Sequence, residues 1–291
     1  MKKKILILGI DGMIGHKAAQ FLEQENNLYG TTRKKIGPEK LGLKTSKLIK
    51  IDFDENQSLV FLNDLSPDII INCVGITTRR INNDNISNLE FVNSRLPHLL
   101  NEWTEENSKR LIHFSTDCVY SGKNGNYRES DNPDAQDIYG KTKTIGEINN
   151  SNALTIRTSL IGREVFNHTE LFEWLYKNKS GKVYGYENVH YSGLTTIRMS
   201  KILEKIINYF PDLKGVFNIS SKPITKYSLL NLINKHFKLE IQVEKDSKIK
   251  SNKVLISKKF TEITDIEISA WEDLIVEFKE DCVKYSEIYK K

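Results

Sequence analysis

The chain has 291 residues, enough for one large α/β domain, alone or with a smaller companion formed by its C-terminal half. Its three cysteines, Cys73, Cys118 and Cys282, are far apart and lack C-x-x-C spacing, so we expect no disulfide framework, no bound metal and a reducing cytosol. The net charge of +5 comes from lysines with acidic residues between them, which indicates solvated surfaces and no nucleic-acid groove.

The chain begins with a strand, a helix and a second strand. The pattern predicts strands at Lys4–Leu8 and at 28–32, and the apolar residues between them have helical spacing. The apolar run 5–10 is only as long as a strand and is broken by Gly9. We therefore expect neither a signal peptide nor a membrane span, and no contact with a membrane.

Strands and helices continue to alternate up to about residue 158. Four more strands are predicted at 47–53, 69–74, 111–115 and 153–157. One helix between them has its apolar residues on one face, namely Val92, Leu96, Leu99, Leu100 and Trp103. This alternation is typical of a Rossmann-type α/β fold with a doubly wound parallel sheet, whose ligands lie at the carboxyl ends of the strands.

After residue 158 the pattern becomes less regular. It predicts a Gly/Tyr-rich loop at 181–193, a helix at Thr196–Tyr209 and further helices towards the C-terminus. We predict a main Rossmann domain over 1–158. Residues 159–291 are expected to form a smaller region, from which some segments return to the main domain.

The first strand runs into a glycine-rich turn that opens a helix. Gly9, Gly12 and Gly15 permit a tight turn and a close approach of a ligand to the backbone, and the helix N-terminus offers unpaired N–H groups to a phosphate. The turn, with Met13 and Ile14, is therefore a candidate site for the pyrophosphate of a dinucleotide. Because the spacing is G-x-x-G-x-x-G, an ordinary glycine-rich β–α turn remains the alternative.

The end of the second strand bears on the choice of dinucleotide. NAD enzymes usually have an acidic residue there, which contacts the adenosine ribose, whereas this chain has a Thr-Thr-Arg-Lys-Lys run. Thr32 and Arg33 would suit the additional phosphate of NADP. We therefore predict NADP(H) as the cofactor, with exposed loop cations as the alternative interpretation.

Two further strand ends are candidate contacts of the cofactor. Asp52 and Phe53 follow the third strand, where they are placed to meet the adenine. Cys73, Val74 and Gly75 follow the fourth, where a small backbone can pass under the nicotinamide.

Residues suited to carbonyl reduction follow the fifth strand. Reduction of a carbonyl needs a hydride on its carbon and a proton for its oxygen. Tyr139 and Lys143 are four residues apart and project from one face of a helix, so the lysine can favour the phenolate form of a tyrosine whose pKa is ordinarily about 10. Thr116 can hydrogen-bond the substrate oxygen. We predict these three residues as the catalytic triad.

These motifs resemble the dTDP-4-dehydrorhamnose reductase family of extended short-chain dehydrogenases. The resemblance rests on the glycine turn and on two segments, Ser115-Thr116-Asp117-Cys118-Val119-Tyr120-Ser121-Gly122 and Tyr139-Gly140-Lys141-Thr142-Lys143-x-x-Gly146-Glu147, and is strongest over residues 1–165. It implies reduction of the C4 ketone of a nucleotide-linked 4-keto-6-deoxyhexose by NADPH, with the same triad. It also implies a position near the cofactor for Asn93, although an Asn that opens a helix is more often a cap.

The substrate is expected to be selected by the C-terminal half. Candidate contacts are Thr116, Asp117, Arg163, Tyr186 and Gly193, with Arg163 facing the diphosphate or forming a structural ion pair. The resemblance extends to reductases of UDP-linked 2-acetamido-2,6-dideoxyhexuloses that lead to L-rhamnosamine-type sugars. A dTDP-linked substrate remains an alternative.

Other functions are compatible with these motifs. Dehydratases of this fold carry an Asp-Glu pair after the threonine, whereas here Cys118 follows Asp117, so dehydration is disfavoured. Epimerases share the glycine turn and the Tyr/Lys pair, and an added C3 epimerisation would need a base such as His190 or Cys73. A third alternative is an NADP-binding regulatory subunit, since the β subunit of methionine adenosyltransferase resembles this family. A homodimer is common in the class.

Overall fold

The computed structural model describes residues 2–54, 59–81, 86–149 and 151–290. In chain order the strands are β1 (Lys4–Leu8), β2 (Asn27–Thr32), β3 (Lys47–Lys50), β4 (Ile69–Asn72), β5 (Arg110–Phe114), β6 (Leu154–Arg157), β7 (Leu160–Ile161), β8 (Lys182–Tyr191), β9 (Leu194–Thr195), β10 (Gly215–Asn218), β11 (Ile224–Thr225) and β12 (Gln242–Asn252).

The helices follow the same order. They are α1 (Met13–Leu22), α2 (Phe61–Leu65), α3 (Ile86–Glu90), α4 (Leu96–Glu106), α5 (Ile138–Ile145), α6 (Leu171–Lys177), α7 (Thr196–Tyr209), α8 (Lys226–Phe237), α9 (Lys258–Thr264) and α10 (Trp271–Lys284). A π-helical turn, Phe91–Arg95, joins α3 to α4 without a break.

Seven parallel strands form the central sheet in the order β10-β6-β5-β4-β1-β2-β3. Alternate residues of β1 are buried on opposite faces: Ile5 and Ile7 belong to one apolar cluster, Leu6 and Leu8 to the other. The chain moves outward in one direction from β1 to β3 and in the other from β4 to β10, so the order reverses between β1 and β4. Ligands of doubly wound sheets bind at such a reversal. The predicted fold class is confirmed.

Most predicted strands of the first half lie within one to three residues of their observed bounds. Residues after 158 do return to the main sheet: β10 pairs with β6, and α7 packs against α1. The division at residue 158 stays a prediction.

The predicted loop at 181–193 is wrong for most of its length. Residues Lys182–Tyr191 form β8, the central strand of a three-stranded sheet with β11 and β12. The glycine that suggested a loop, Gly185, has a packing role, because a Cβ on it would lie 2.8 Å from the Cα of Tyr227. Gly185 therefore lets α8 lie directly on the sheet.

No helix in the described ranges is both long enough and apolar enough to cross a membrane.

A buried ion pair joins the last helix to the first. Nζ of Lys17 lies 2.6 Å from Oδ2 of Asp281, and the two side chains are 1% and 4% exposed. Burial lowers the pKa of the lysine and raises that of the carboxyl, so burial disfavours the charge on each partner. The pair therefore holds α10 against α1 at the expense of removing two charges from water.

We expect Lys17→Met to lower the free energy of unfolding by about 3–5 kcal/mol, because it leaves Asp281 buried without its cation. The double variant Lys17→Met/Asp281→Asn should recover most of that loss. Chemical denaturation measures both changes. As a control, Glu262→Gln breaks the exposed Lys258–Glu262 pair and should change stability by under about 0.5 kcal/mol. A single Lys17→Met variant as stable as the parent would contradict a structural role for the pair.

Candidate active site

Two adjoining cavities form a cleft along the carboxyl ends of the central strands. Their volumes are about 280 and 350 Å³, and Gly12, Cys73, Val74 and Gly75 line both. The smaller cavity extends to the ends of β2 and β3, and the larger one to the ends of β5 and β6. The cleft therefore crosses the reversal of strand order between β1 and β4.

The glycine turn lies at the centre of this cleft. Gly9 has φ of +73°, in the left-handed region, and a Cβ on Gly15 would lie 2.2 Å from the carbonyl oxygen of Gly9. Gly12 is the N-cap of α1, with no side chain capping the helix, so the free N–H groups of its first turn are available to an anion. Met13 and Ile14 line the larger cavity. This geometry fits the pyrophosphate of a dinucleotide.

The residues predicted to contact the adenosine end all line the smaller cavity: Thr32, Arg33, Asp52 and Phe53. The side chains of Arg33 and Asp52 are 65% and 67% exposed, and Arg33 Nε lies 4.0 Å from Asp52 Oδ1. Such an exposed pair is weak. The guanidinium therefore remains accessible to an anionic ligand in the cavity.

Cys73, Val74 and Gly75 line both cavities, whereas Asn93 lies behind them. Asn93 is fully buried within the π-helical turn, so the expectation that it opens a helix is wrong. Its Oδ1 accepts from the Ile76 amide at 2.9 Å, and its Nδ2 donates to the Ile76 carbonyl at 3.0 Å. Asn93 thus holds the loop that follows β4.

Thr116 and Tyr139 meet in the larger cavity. Thr116 caps a short 3₁₀ turn, and its hydroxyl accepts from the amide of Cys118 at 3.1 Å and donates to Asp117 Oδ1 at 3.2 Å. Tyr139 lies in the first turn of α5, whose N-cap Asp137 accepts from the Gly140 amide at 2.9 Å. The cap fixes the start of α5 and with it the position of the tyrosine.

Lys143, one turn later on α5, extends its amine beneath the same cavity. The residue is 4% exposed, and Nζ donates to the carbonyl of Phe114 at 2.8 Å. Burial lowers the pKa of Lys143 to about 8, an effect that Glu147 partly offsets. The amine is therefore charged at neutral pH but close to its point of deprotonation.

The surroundings of Tyr139 do not favour the phenolate form that we expected Lys143 to promote. Burial, together with Cys118, raises the pKa of Tyr139, and the neighbouring Thr116 hydroxyl offsets this only in part. The phenol is therefore protonated at neutral pH, which is the form able to donate a proton to a carbonyl oxygen.

Asp117 lines the larger cavity, and the amine of Lys226 lies near enough to act on its carboxyl. Burial raises the pKa of Asp117, while Lys253 and Lys226 act in the opposite direction. Burial lowers the pKa of Lys226 to about 8, and its amine lies 3.7 Å from the centre of the Tyr191 ring. A ligand beside Asp117 would meet its carboxyl together with the Thr116 hydroxyl.

Three predicted substrate contacts do not line the cleft. Arg163 lies in a separate cavity, where Nε donates to Glu173 Oε1 at 2.6 Å, which corrects the expectation that it faces a diphosphate in favour of the structural ion pair. Tyr186 is on β8 with its side chain towards solvent, and Gly193 makes room for the hydroxyl of Tyr191. His190, one of two suggested bases, is likewise absent from the cleft lining.

The structure adds residues that the motifs did not indicate. Arg79 and Arg80 follow β4 and line the cleft, and Arg80 Nη2 lies 2.8 Å from Glu164 Oε1. Two adjacent arginines in the segment after a strand could have indicated that they line the cleft. Thr158 is buried in the cleft wall, and its hydroxyl finds no hydrogen-bond partner within the described part of the chain. No local sequence pattern singles out Lys226.

Comparison with known proteins shows the family to which the chain belongs. The family model of the RmlD substrate binding domain matches residues 2–177. The β subunit of methionine adenosyltransferase 2 from Bos taurus is 24% identical over 252 residues, which cover 81% of this chain and 73% of the relative. A dTDP-4-dehydrorhamnose reductase from Aggregatibacter actinomycetemcomitans is 28% identical over 151 residues, 50% of this chain and 45% of the relative.

Among solved structures, dTDP-4-dehydrorhamnose reductase from Bacillus anthracis in complex with NADP superposes with a TM-score of 0.76. It is 17% identical, and the match covers 97% of this chain and 100% of the other. At this identity the likeness supports the fold.

Proposed function

Because the chain belongs to the RmlD substrate binding domain family, we propose that it reduces a nucleotide-linked keto sugar with NADPH. The reaction is reduction of the C4 keto group of a 4-keto-6-deoxyhexose, in the biosynthesis of a deoxysugar or polysaccharide. One observation carries the proposal: Thr116, Tyr139 and Lys143 line a single cavity that adjoins the glycine turn. A hydride donor and a proton donor can therefore act on the same carbonyl group.

Each member of the triad has a distinct role. Tyr139 donates the proton to the carbonyl oxygen, since its phenol is protonated and lies beside the Thr116 hydroxyl. Thr116 holds that oxygen by a hydrogen bond. Lys143 stabilises the phenolate that forms and contacts the nicotinamide ribose. NADPH, when bound, supplies the hydride to the carbon.

The cleft favours NADP over NAD in this proposal. No acidic residue follows β2, and the exposed guanidinium of Arg33 lines the cavity beside Thr32. A guanidinium can form paired hydrogen bonds with a phosphate. Thr158, with its unsatisfied hydroxyl, offers a further contact to a ligand in the nicotinamide half.

The substrate is proposed to be UDP-linked and to carry a 2-acetamido group, with an L-rhamnosamine-type sugar as product. Asp117, which lines the cavity, offers a hydrogen-bond acceptor to sugar substituents, and the amine of Lys226 lies near that carboxyl. A dTDP-linked sugar without the acetamido group is the alternative substrate. Additional C3 epimerisation would need a base, and burial raises the pKa of Cys73, which leaves it a neutral thiol.

The proposal is tested by NADPH oxidation with UDP-linked and dTDP-linked 4-keto-6-deoxy sugars, each with and without the 2-acetamido group. Mass spectrometry after deuteride transfer from labelled NADPH identifies a product reduced at C4. Turnover of one sugar supports a reductase and names its substrate. Tight NADPH binding without turnover of any of them would favour a regulatory subunit, the second candidate, to which the 24% identity with the methionine adenosyltransferase subunit also points.

Tyr139→Phe should lower turnover roughly 10²–10⁴-fold, because it removes only the proton donor. The dissociation constant for NADPH, measured by fluorescence titration, should change little. Tyr184→Phe, at a tyrosine that is 57% exposed on β8, is the matched control and should behave like the parent. Undiminished turnover in Tyr139→Phe would rule out the assigned role.

Arg33→Ala should weaken NADPH roughly 10–100-fold and leave NADH nearly unchanged, because a charged hydrogen bond to the additional phosphate is lost. Lys40→Ala removes another exposed cation and serves as control. Titration of both coenzymes against each variant measures the effect. Equal losses for NADPH and NADH would show that Arg33 does not read the phosphate.

A further inference from the structure

Behind Lys143 lies a buried pair of polar side chains, Asn72 and His113, both fully buried. Asn72 is the last residue of β4, and His113 is the neighbouring residue of β5 in register. The His113 Nε2 atom lies 3.4 Å from Nζ of Lys143, and its Nδ1 atom lies 3.2 Å from Nδ2 of Asn72. The pair thus connects the catalytic lysine to the end of β4.

The orientation of the Asn72 amide follows from its contact with the backbone. The amide N–H of Val74 donates to Asn72 Oδ1 at 3.1 Å. An amide NH₂ group could not accept that hydrogen bond, so the oxygen must face Val74 and the NH₂ group must face His113. Asn72 is therefore the donor in its contact with the ring.

This orientation determines the tautomer of His113. Because Asn72 donates to Nδ1, that atom carries a lone pair and no proton. Burial and the charge of Lys143 lower the pKa of His113 well below its usual value, so the ring is neutral and has one N–H group. The ring proton is therefore on Nε2, the atom that faces Lys143.

The Nε2–H group of His113 interacts differently with the charged and the neutral form of the Lys143 amine. An ammonium group has three donors and no lone pair, so it can only oppose another donor. A neutral amine has a lone pair that can accept from His113 Nε2–H while the amine still donates to the carbonyl of Phe114 at 2.8 Å. The ring thus stabilises the neutral lysine relative to the charged one.

The other groups around Lys143 act differently. Glu147, two residues beyond the end of α5, favours the charged amine. Tyr139 is on the same face of α5 as Lys143. Of the titratable neighbours in the described ranges, His113 is the one whose hydrogen-bond geometry favours the neutral amine.

We propose that Asn72 and His113 form a positioning pair that lowers the proton affinity of Lys143, so that the lysine can pass on its proton during each turnover. The inference rests on the proposed reduction. After the hydride reaches the carbonyl carbon and the Tyr139 proton reaches the oxygen, the phenolate regains a proton that starts on Lys143 Nζ. The neutral amine then accepts a hydrogen bond from His113 until water returns a proton to it.

The tautomer is tested directly in the cofactor-free protein labelled with ¹⁵N-histidine. Ring ¹H–¹⁵N correlation spectra distinguish the two neutral tautomers, and His113→Phe identifies the resonances of His113. We expect the Nε2–H tautomer at pH 7. An Nδ1–H tautomer, or a doubly protonated ring, would overturn the inference.

The effect on the lysine is tested by ¹³C NMR of labelled lysine side chains, with Lys143→Arg for assignment. His113→Phe should raise the pKa of Lys143 by roughly 0.5–1 pH unit, since one hydrogen bond to the neutral amine is lost. Asn72→Asp keeps an acceptor for the Val74 amide, but its carboxylate has no N–H group and must accept from Nδ1–H of His113. This substitution should therefore also raise the pKa of Lys143. An unchanged or lower pKa in both variants would overturn the inference.

The change in the pKa of Lys143 should also appear in the pH dependence of turnover. Reduction needs charged Lys143, so activity falls as the pH rises through the lysine pKa of about 8, and in His113→Phe this fall should move to higher pH by the same amount. His236→Gln, at a histidine that pairs with Glu272 far from the cleft, should leave the profile unchanged. If no keto sugar is reduced, the proposed function fails while both NMR measurements still decide the inference; turnover with an Nδ1–H tautomer contradicts the inference alone.

Discussion

The arrangement of the catalytic residues in the cleft depends on the buried amine of Lys143 at the end of β5. Lys143 can be buried there because the Phe114 carbonyl, left free where the strand ends, accepts from it at 2.8 Å. This contact requires α5 to lie close to β5. Gly140 permits that approach, since a Cβ on it would lie 2.3 Å from the carbonyl oxygen of Cys118. Once the helix is placed in this way, Tyr139 is directed into the cavity beside Thr116.

A second buried network braces the far end of the same helix. Glu147 accepts from Ser115 Oγ at 2.6 Å and forms an ion pair of 2.7 Å with Arg157 on β6. Arg157 also donates to the hydroxyl of Tyr120 at 2.5 Å. These contacts hold Glu147 where it favours the charged form of Lys143. Burial and Glu147 therefore act on the lysine in opposite directions, and in our proposal His113 acts in the same direction as burial.

The parts of the site that were predictable from the sequence are those set by local spacing. The glycine turn has a recognisable strand and helix on either side, and Tyr139 and Lys143 share a helix face at any tertiary arrangement. The misplaced residues depend on contacts between distant segments. Arg163 appeared free to meet a diphosphate until α6 placed Glu173 beside it, and the glycine of β8 reads as a loop signal unless its contact with α8 is known. Lys226 has no sequence signal because only packing against Tyr191 brings it near Asp117.

The residues that local spacing predicts and those that only tertiary packing places come from different parts of the fold. The carboxyl ends of the strands in the seven-stranded sheet carry the glycine turn, Thr116, Tyr139 and Lys143. The parallel pairing of those strands fixes the relative positions of these residues. Tyr191 and Lys226 come instead from β8 and the start of α8, which belong to or adjoin the three-stranded sheet. Asp117 follows β5 of the main sheet, so its proximity to Lys226 depends on how the second sheet and α8 pack against the first.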